Sequence, residues 1–277
     1  SFLSVRVALD EIPPLTSVLH RVGWAAFALW IYVAIRRLPV PRSPRVWLAF
    51  LVMGILNNVI PFGLMAWGQL HIETGLTSIL NAATAVFGVL VAALLLSDEH
   101  LTLRKSIGVG LGFIGVVTAI GFGNLLHLDL RSLAQWAVLL GTLSYAFAGV
   151  WGRVTLAELR PEVAAAGMLT GATVVMMPLV LIVDGPPSLT LDGRTWIAIG
   201  YYALIATALA YILFYQALAL AGSGNTMIVT LLVAPVAIVL GTFALNESLP
   251  ANAFVGFGIL ALGLLILNRT LFPRAAW

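Results

Sequence analysis

Amide and phenol side chains within long apolar runs are the groups of this sequence best suited to bind a solute. The candidates are three asparagines and three tyrosines: Asn57, Asn58, Asn81, Tyr145, Tyr211 and Tyr215. An amide offers a carbonyl to an ammonium group and an NH₂ to a carboxylate, so two amides can hold a zwitterion without a buried net charge. A tyrosine ring adds an apolar wall with a polar tip. These residue types favour a binding site for a small zwitterion.

The same side chains also have a structural interpretation. Polar side chains often hold membrane helices together through interhelical hydrogen bonds, so the three asparagines fit either a cavity or helix packing. Tyr145 lies too deep for the aromatic belt at a membrane interface, which favours a cavity. Trp67 and Trp151 lie near opposite helix ends, and each fits either the belt or the vestibule of a cavity.

Groups needed for catalysis or ion binding are missing from the middle of the apolar runs. No complete run places an Asp, Glu or Lys at mid-depth, although a bare cation or a carboxylate proton relay would need a buried acid. The sequence has no Cys, its four His are isolated, and it has no HExxH or paired carboxylates. We therefore expect no enzymatic activity, no metal and no cofactor.

Composition places these residues in a membrane. Only 9% of the 277 residues are charged and 61% are hydrophobic, whereas a soluble domain is about 25% charged. A soluble enzyme, a nucleic-acid binder and a disordered chain are excluded. The expected partners are membrane lipid and a small-molecule substrate, with the chain acting as a monomer.

Nine apolar runs are long enough to span a bilayer, which takes about 20 residues. They are too long for strands of a membrane barrel. Residues 1–9 would span only ~14 Å as a helix, and we interpret them as the second half of a first helix whose beginning is missing from this chain. The predicted fold is an all-α polytopic membrane protein of ten helices, the first one truncated. The nine complete runs are 15–35, 46–69, 75–97, 106–123, 133–152, 162–183, 195–218, 225–245 and 251–268.

Basic residues predict the orientation of these helices. If the loop 36–45 is cytoplasmic, the external helix ends carry only Arg131 and Arg194. Arg6 and Arg21 fall inside or near helices. Positive residues concentrate on the cytoplasmic side of a membrane, so both termini are predicted to be cytoplasmic. The cytoplasmic helix ends carry Arg36, Arg37, Arg42, Arg45, Arg104, Lys105, Arg153, Arg160, Arg269 and Arg274.

The two halves of the sequence repeat each other in opposite orientation. Trp47 recurs 149 residues later as Trp196, and Glu99 recurs 148 residues later as Glu247. Each half holds five predicted helices, so the second copy enters the membrane from the other side. Inverted repeats of this kind are typical of secondary transporters, whose binding sites lie near the bilayer midplane.

Two further sets of repeated residues have structural interpretations. Glu99 and Glu247 lie at helix ends, where each would favour the positive N-terminus of the helix that follows it; a gating role is the alternative. Small residues let membrane helices approach closely. We therefore expect packing notches at Gly108, Gly110, Gly112, Gly115, Gly256, Gly258 and Gly263.

Three segments of the first half, residues 60–67, 75–82 and 94–99, resemble the first EamA repeat of the drug/metabolite transporter superfamily. Residues 211–218, with Ala234-Pro235-Val236 and Leu245-Asn246-Glu247, resemble the second EamA repeat. The resemblance implies a ten-helix carrier of the bacterial inner membrane with two five-helix repeats, residues 1–123 and 133–268, around a central cavity. Val86 stands where the first repeat usually has Pro, a departure that removes the usual cause of a kink there.

The function expected from residues and resemblance together is export of small zwitterions by alternating access. Bacterial members that the sequence is similar to export amino acids, including aromatic ones, and related metabolites. A multidrug or lipophilic-cation efflux carrier of the same fold is the first alternative, although such a carrier usually has a buried acid. A non-transporting scaffold or lipid-binding protein is the second alternative.

Overall fold

The computed structural model describes residues 1–121, 129–188 and 190–267, with side chains described there except at 214–215 and 217–232. Regular structure in these ranges is helical throughout. Two segments, π1 (Ile55–Val59) and π2 (Tyr201–Leu209), are π-helical. The α-helices are α1 (Phe2–Ala8), α2 (Pro14–Ile35), α3 (Pro44–Gly54), α4 (Ile60–Gly68), α5 (Thr74–Asn81), α6 (Thr84–Leu95), α7 (Leu103–Ile120), α8 (Leu130–Thr155), α9 (Pro161–Val183), α10 (Gly193–Gly200), α11 (Ala210–Leu245) and α12 (Ala251–Leu267).

Seven helical stretches in the described ranges are long and apolar enough to cross a membrane, and two shorter apolar stretches, Val233–Leu245 and Ala251–Leu267, accompany them. The chain is a multi-pass helical membrane protein, and the count of ten spans stays a prediction.

The predicted break between 218 and 225 is absent, since α11 is continuous. The Gly-rich stretch there contains no Pro that would break a helix. A continuous helix also satisfies every backbone hydrogen-bonding group internally, which is required in the hydrocarbon region of a bilayer.

Three of the spans in the described ranges are irregular near their middle. The π1 segment interrupts one span between α3 and α4, and π2 interrupts another between α10 and α11. The 149-residue repeat maps π1 onto residues 204–208, within π2, so the irregularity is repeated too. A third span breaks between α5 and α6 at Ala82 and Ala83, without a proline. Such interruptions are frequent at functional sites of membrane carriers.

The chain divides into two compact units, and each takes helices from both sequence halves. Unit 1 comprises Ser1–Leu70 and Trp151–Gln216. Unit 2 comprises His71–Val150 and the described part of Ala217–Trp277. The compact units are therefore not the two sequence repeats, whose boundaries stay a prediction.

Close helix packing in unit 1 depends on glycines where α3 meets α9. A Cβ at Gly54 would lie 2.6 Å from the carbonyl oxygen of Met168, and one at Gly171 would lie 2.7 Å from that of Phe50. Both distances are far below van der Waals contact, so any larger residue forces the two helices apart.

A hydrogen-bonded contact also joins the start of α2 to the end of α9. The Asp184 Oδ2 accepts hydrogen bonds from the Thr16 amide and hydroxyl at 2.9 and 2.7 Å.

Unit 2 is built around the packing of α7 on α12. A Cβ at Gly115 would lie 2.8 Å from the carbonyl oxygen of Gly256, and one at Gly263 would lie 2.7 Å from that of Gly108. Asn252 caps the C-terminal end of α7, because its Nδ2 donates to the Thr118 and Ala119 carbonyls at 3.2 and 3.1 Å. The predicted notches at these glycines are confirmed.

For Gly110 and Gly258 the predicted packing notches are wrong. Nothing lies within 4 Å of a Cβ placed on either, so neither glycine is a notch. Helical phase explains the difference, because Gly108, Gly112 and Gly115 follow the i, i+4, i+7 spacing of one helix face and Gly110 lies off that face.

The start of α5 is held by two acidic residues of unit 2. Glu247 accepts hydrogen bonds from the backbone amides of Thr74 and Gly75 at 3.0 and 3.4 Å. Glu73 forms a bidentate ion pair with Arg131 of α8, at 3.1 and 2.9 Å. The interpretation of Glu247 as a cap of the helix that follows it is therefore wrong, because its carboxylate caps α5.

Candidate functional site

Asn57 and Tyr211 are brought together within unit 1. Asn57 lies in π1, and its Nδ2 donates to the Tyr211 Oη at 3.1 Å and to the Met168 Sδ at 3.3 Å. Eleven residues separate Asn57 from Gly68 at the end of its span, about 16 Å at helical rise. That depth is close to the middle of a ~30 Å hydrocarbon layer. The pair therefore places an amide and a phenol near mid-depth.

Asn58, the neighbouring residue of π1, is fully buried. Neither its Nδ2 nor its Oδ1 has a hydrogen-bond partner among the described residues. A buried amide without partners carries the full desolvation penalty of both groups.

Arg21 extends the polar part of unit 1. Its Nε donates to the Thr207 Oγ1 at 3.0 Å, and its Cζ lies 3.9 Å from the centroid of the Phe62 ring, a cation–π geometry. Thr207 in turn donates to the Tyr202 carbonyl at 2.7 Å, as a residue of π2. The guanidinium thereby contacts the span interrupted by π1, through Phe62, and the span interrupted by π2, through Thr207.

A second set of polar contacts lies nearer the N-terminal ends of α2 and α10. The Ser17 hydroxyl donates to the Tyr202 Oη at 3.3 Å. His20 packs edge-on against the Trp196 ring at 5.7 Å between centroids, and its Nδ1 accepts from the Trp24 indole at 3.3 Å. Contacts through Ser17, His20, Arg21 and Asn57 thus run from the end of unit 1 toward its middle.

The two candidate tryptophans both belong to unit 1. Trp67 lies half-buried in α4. The Trp151 indole donates to the Ala49 carbonyl at 3.1 Å and packs beside the buried cluster of Ala49, Phe50 and Leu156. The indole of Trp151 therefore packs the C-terminal end of α8 against α3.

Asn81 and Tyr145 belong to unit 2, whereas the two asparagines of π1 belong to unit 1. Asn81 ends α5, and its carbonyl accepts a hydrogen bond from the Thr84 hydroxyl at 2.7 Å across the interruption. Tyr145 is half-buried in α8. The side chain of Tyr215 lies outside the described residues.

An apolar cavity of about 250 Å³ lies among α6, α7 and α8 of unit 2. Its lining includes Phe87, Phe113 and Trp136 and exposes no polar surface. Phe113 and Trp136 are also exposed large hydrophobic residues. Without a polar group to orient a zwitterion, this cavity does not match the chemistry of the candidate residues.

The sequence alone does not indicate a functional role for Arg21. The available signal was a basic residue inside an apolar run, seven residues after Pro14. The contacts with Thr207 and Phe62 join segments that are far apart in the chain, so no local pattern points to them.

Comparisons with known proteins give the chain a family context. The EamA-like transporter family matches residues 1–121 and 132–269. A "Probable terminal-alkyne amino-acid exporter" of Streptantibioticus cattleyicolor is 27% identical, over 99% of this chain and 90% of the relative. A "Probable amino-acid metabolite efflux pump" of Escherichia coli is 23% identical, over 96% of this chain and 89% of the relative. A solved crystal structure superposes with a TM-score of 0.69 at 17% identity, covering 99% of this chain and 96% of that one, which shows the fold alone.

Proposed function

Because the chain belongs to the EamA-like transporter family, we propose that it exports small zwitterionic metabolites, chiefly amino acids, including bulky or aromatic ones, across the bacterial inner membrane. The exporters named among its relatives support this class of substrate. Alternating access is the expected mechanism, since inverted-repeat carriers expose one site to each side of the membrane in turn. Both termini are proposed to be cytoplasmic.

The contact between Asn57 and Tyr211 is the observation that carries the proposal. It places a neutral donor and acceptor set near mid-depth, beside the fully buried Asn58. Amides bind both an ammonium and a carboxylate, and the phenol ring adds an apolar wall for a large side chain. The proposed substrate contacts are Asn57, Asn58, Asn81, Tyr145, Tyr211, Tyr215, Trp67 and Trp151.

Transport by purified protein in liposomes tests the proposal. Vesicles are preloaded with labelled L-phenylalanine, L-leucine or L-threonine, or with the lipophilic cation tetraphenylphosphonium, and efflux is compared with that from protein-free vesicles. We expect saturable efflux of at least one amino acid and none of the cation. Efflux of the cation alone would instead identify a lipophilic-cation carrier, and no protein-dependent efflux at all would contradict a transport function for these substrates.

A further inference from the structure

Residues 36–45, which connect α2 to α3 and are called the arginine turn below, carry an unbalanced positive charge. Four exposed arginines lie in this segment: Arg36, Arg37, Arg42 and Arg45. The sequence has no Asp or Glu between Glu11 and Glu73. Within the described ranges, none of the four arginines forms an ion pair. The described residues therefore leave four positive charges uncompensated at one end of α2 and α3.

Helix chemistry accounts for only part of this charge. Arg36 is the C-cap of α2, where a cation is favoured by the negative end of the helix dipole. Arg37 has a φ of 48°, the left-handed conformation that glycine usually supplies after the end of a helix. Arg45 is the second residue of α3, at the positive end of that helix, where a cation is disfavoured. Neither Arg37 nor Arg45 occupies a position that its own helix favours.

The arginine turn is fixed against an exposed apolar surface. The Trp47 indole donates to the Pro41 carbonyl at 3.0 Å, and its ring stacks on that of Trp30 in α2, with 6.1 Å between centroids and 19° between planes. Ile35, Trp47 and Leu48 are all exposed beside the turn. Tryptophan is enriched at the level of the lipid headgroups. Exposed cations and exposed apolar side chains therefore adjoin each other at this end of unit 1.

The connection between α8 and α9 lies at the same end and adds no net charge. Val46 and Leu159 both pack against the buried cluster that contains Phe50, which places the start of α3 beside this connection. Residues 153–162 contain two arginines and two glutamates, and among them Arg160 lies 3.8 Å from Glu162. The arginine turn is thus the source of the excess positive charge here.

We propose that the arginine turn binds the phosphate headgroup of an anionic phospholipid, with Trp47 and Leu48 against the upper part of its acyl chains. Four or more basic residues next to a membrane helix attract anionic lipids, and the fork of a guanidinium matches two phosphate oxygens. A lipid fits better than a soluble phosphate, because the apolar side chains beside the arginines would then be covered as well. This site goes beyond the proposed export function and does not depend on the exported solute.

The test compares two spin-labelled lipids, phosphatidylglycerol and phosphatidylcholine, which share their acyl chains and differ in headgroup charge. Their association with the full chain in bilayers is measured from the motionally restricted fraction of the label. The variants are Arg37→Gly and the double variant Arg42→Gln with Arg45→Gln. Arg104→Gln is the matched control, because Arg104 is likewise the second residue of a helix, α7, and is predicted on the same side of the membrane.

We expect the wild type to prefer phosphatidylglycerol, since each arginine near an anionic headgroup contributes roughly a fivefold preference. Arg37→Gly should lower that preference by up to about fivefold without lowering the unfolding temperature, because glycine suits the left-handed backbone. The double variant should lower the preference further. High ionic strength should weaken the preference of the wild type, and Arg104→Gln should match the wild type.

Four results would overturn the site. They are no preference for phosphatidylglycerol in the wild type, an equal loss of preference in Arg104→Gln and Arg37→Gly, an unchanged preference in Arg37→Gly, and equal stabilisation of the detergent-purified protein by soluble glycerol phosphate and by phosphatidylglycerol. The second result would indicate a general effect of charge, and the fourth would indicate a soluble phosphate ligand. If the double variant does not fold, Arg37→Gly alone decides.

Discussion

Asn57 and Tyr211 lie 154 residues apart in the chain, yet the Asn57 Nδ2 and the Tyr211 Oη are 3.1 Å apart near the middle of unit 1. Asn57 belongs to π1, and Tyr211 follows the end of π2 by two residues. The hydrogen bond therefore joins the two spans that contain π-helical segments, at π1 in one and just after π2 in the other.

Removing either partner of this contact should weaken substrate binding. We expect Asn57→Ala and Tyr211→Phe each to raise the half-saturating amino-acid concentration severalfold at unchanged expression, because a part-buried hydrogen bond of this kind contributes about 1 kcal/mol. The double variant should cost less than the sum of the single ones, since the two side chains contact each other. Liposome efflux measures all three.

The control is Tyr201→Phe, which removes a phenol from π2 at an exposed position. It should leave half-saturation unchanged. Equal effects of Tyr201→Phe and Tyr211→Phe, or strictly additive effects of the Asn57 and Tyr211 variants, would contradict a specific role for this contact.

Two classes of glycine should respond oppositely to alanine. A Cβ at Gly115 would meet backbone atoms of Gly256 and Leu260, so Gly115→Ala should lower the free energy of unfolding by about 1–3 kcal/mol. A Cβ at Gly110 or Gly258 meets nothing within 4 Å. There, alanine should leave stability unchanged or raise it by up to ~1 kcal/mol through better helix propensity.

Thermal unfolding in detergent measures these differences in stability. Expression of the three variants in parallel controls for general effects on membrane insertion. If Gly110→Ala destabilised the protein as much as Gly115→Ala, the packing of α7 on α12 would not be the cause.

Local chemistry and periodicity predict a large part of this molecule. Apolar run length predicts most helix bounds within a few residues, and the i, i+4 spacing of Arg6 and Asp10 predicts their observed ion pair. The spacing of the glycines in α7 also separates Gly115, which lies on the packed helix face, from Gly110, which lies off it. The position of Asn57 within its apolar run predicts a polar side chain near mid-depth, and the structure adds that this side chain meets Tyr211.

Other features depend on contacts that no local pattern contains. Nothing in Ile55–Val59 distinguishes a π-helix from an α-helix by composition, because both satisfy the backbone internally. One hydrogen-bond partner of Arg21, Thr207, lies 186 residues away in the chain. Glu247 likewise caps a helix 173 residues earlier in the chain, at Thr74, although its local position favours the helix that follows.

The orientation of the chain stays a prediction that a reporter can test. Basic residues favour a cytoplasmic C-terminus, and Arg274, near that terminus, lies outside the described residues. A fluorescent protein that folds only in the cytoplasm should therefore be bright when fused after Arg274. Alkaline phosphatase at the same position should be inactive, because it requires an oxidising compartment. Active phosphatase with a dark fluorescent fusion would reverse the predicted orientation.

The carboxylate of Glu247 should serve stability and not proton coupling. It accepts from the amides of Thr74 and Gly75 at the positive end of α5, and a lost helix cap costs about 0.5–2 kcal/mol. We therefore expect Glu247→Ala to lower the unfolding temperature, with Glu247→Gln intermediate because an amide oxygen still accepts without charge. Efflux driven by a pH gradient should persist in Glu247→Gln.

Gly241→Ala gives an independent test of the same cap, because a Cβ at Gly241 would collide with the Glu247 carboxylate. That variant leaves the acid in place and should still lower the unfolding temperature in the same direction as Glu247→Ala. Glu99→Gln is the companion control, since Glu99 instead pairs with Lys105 at 2.7 Å and should leave the α5 cap unaffected. If Glu247→Gln abolished pH-driven flux while exchange continued at normal stability, Glu247 would be a proton-coupling group and the capping role would not account for it.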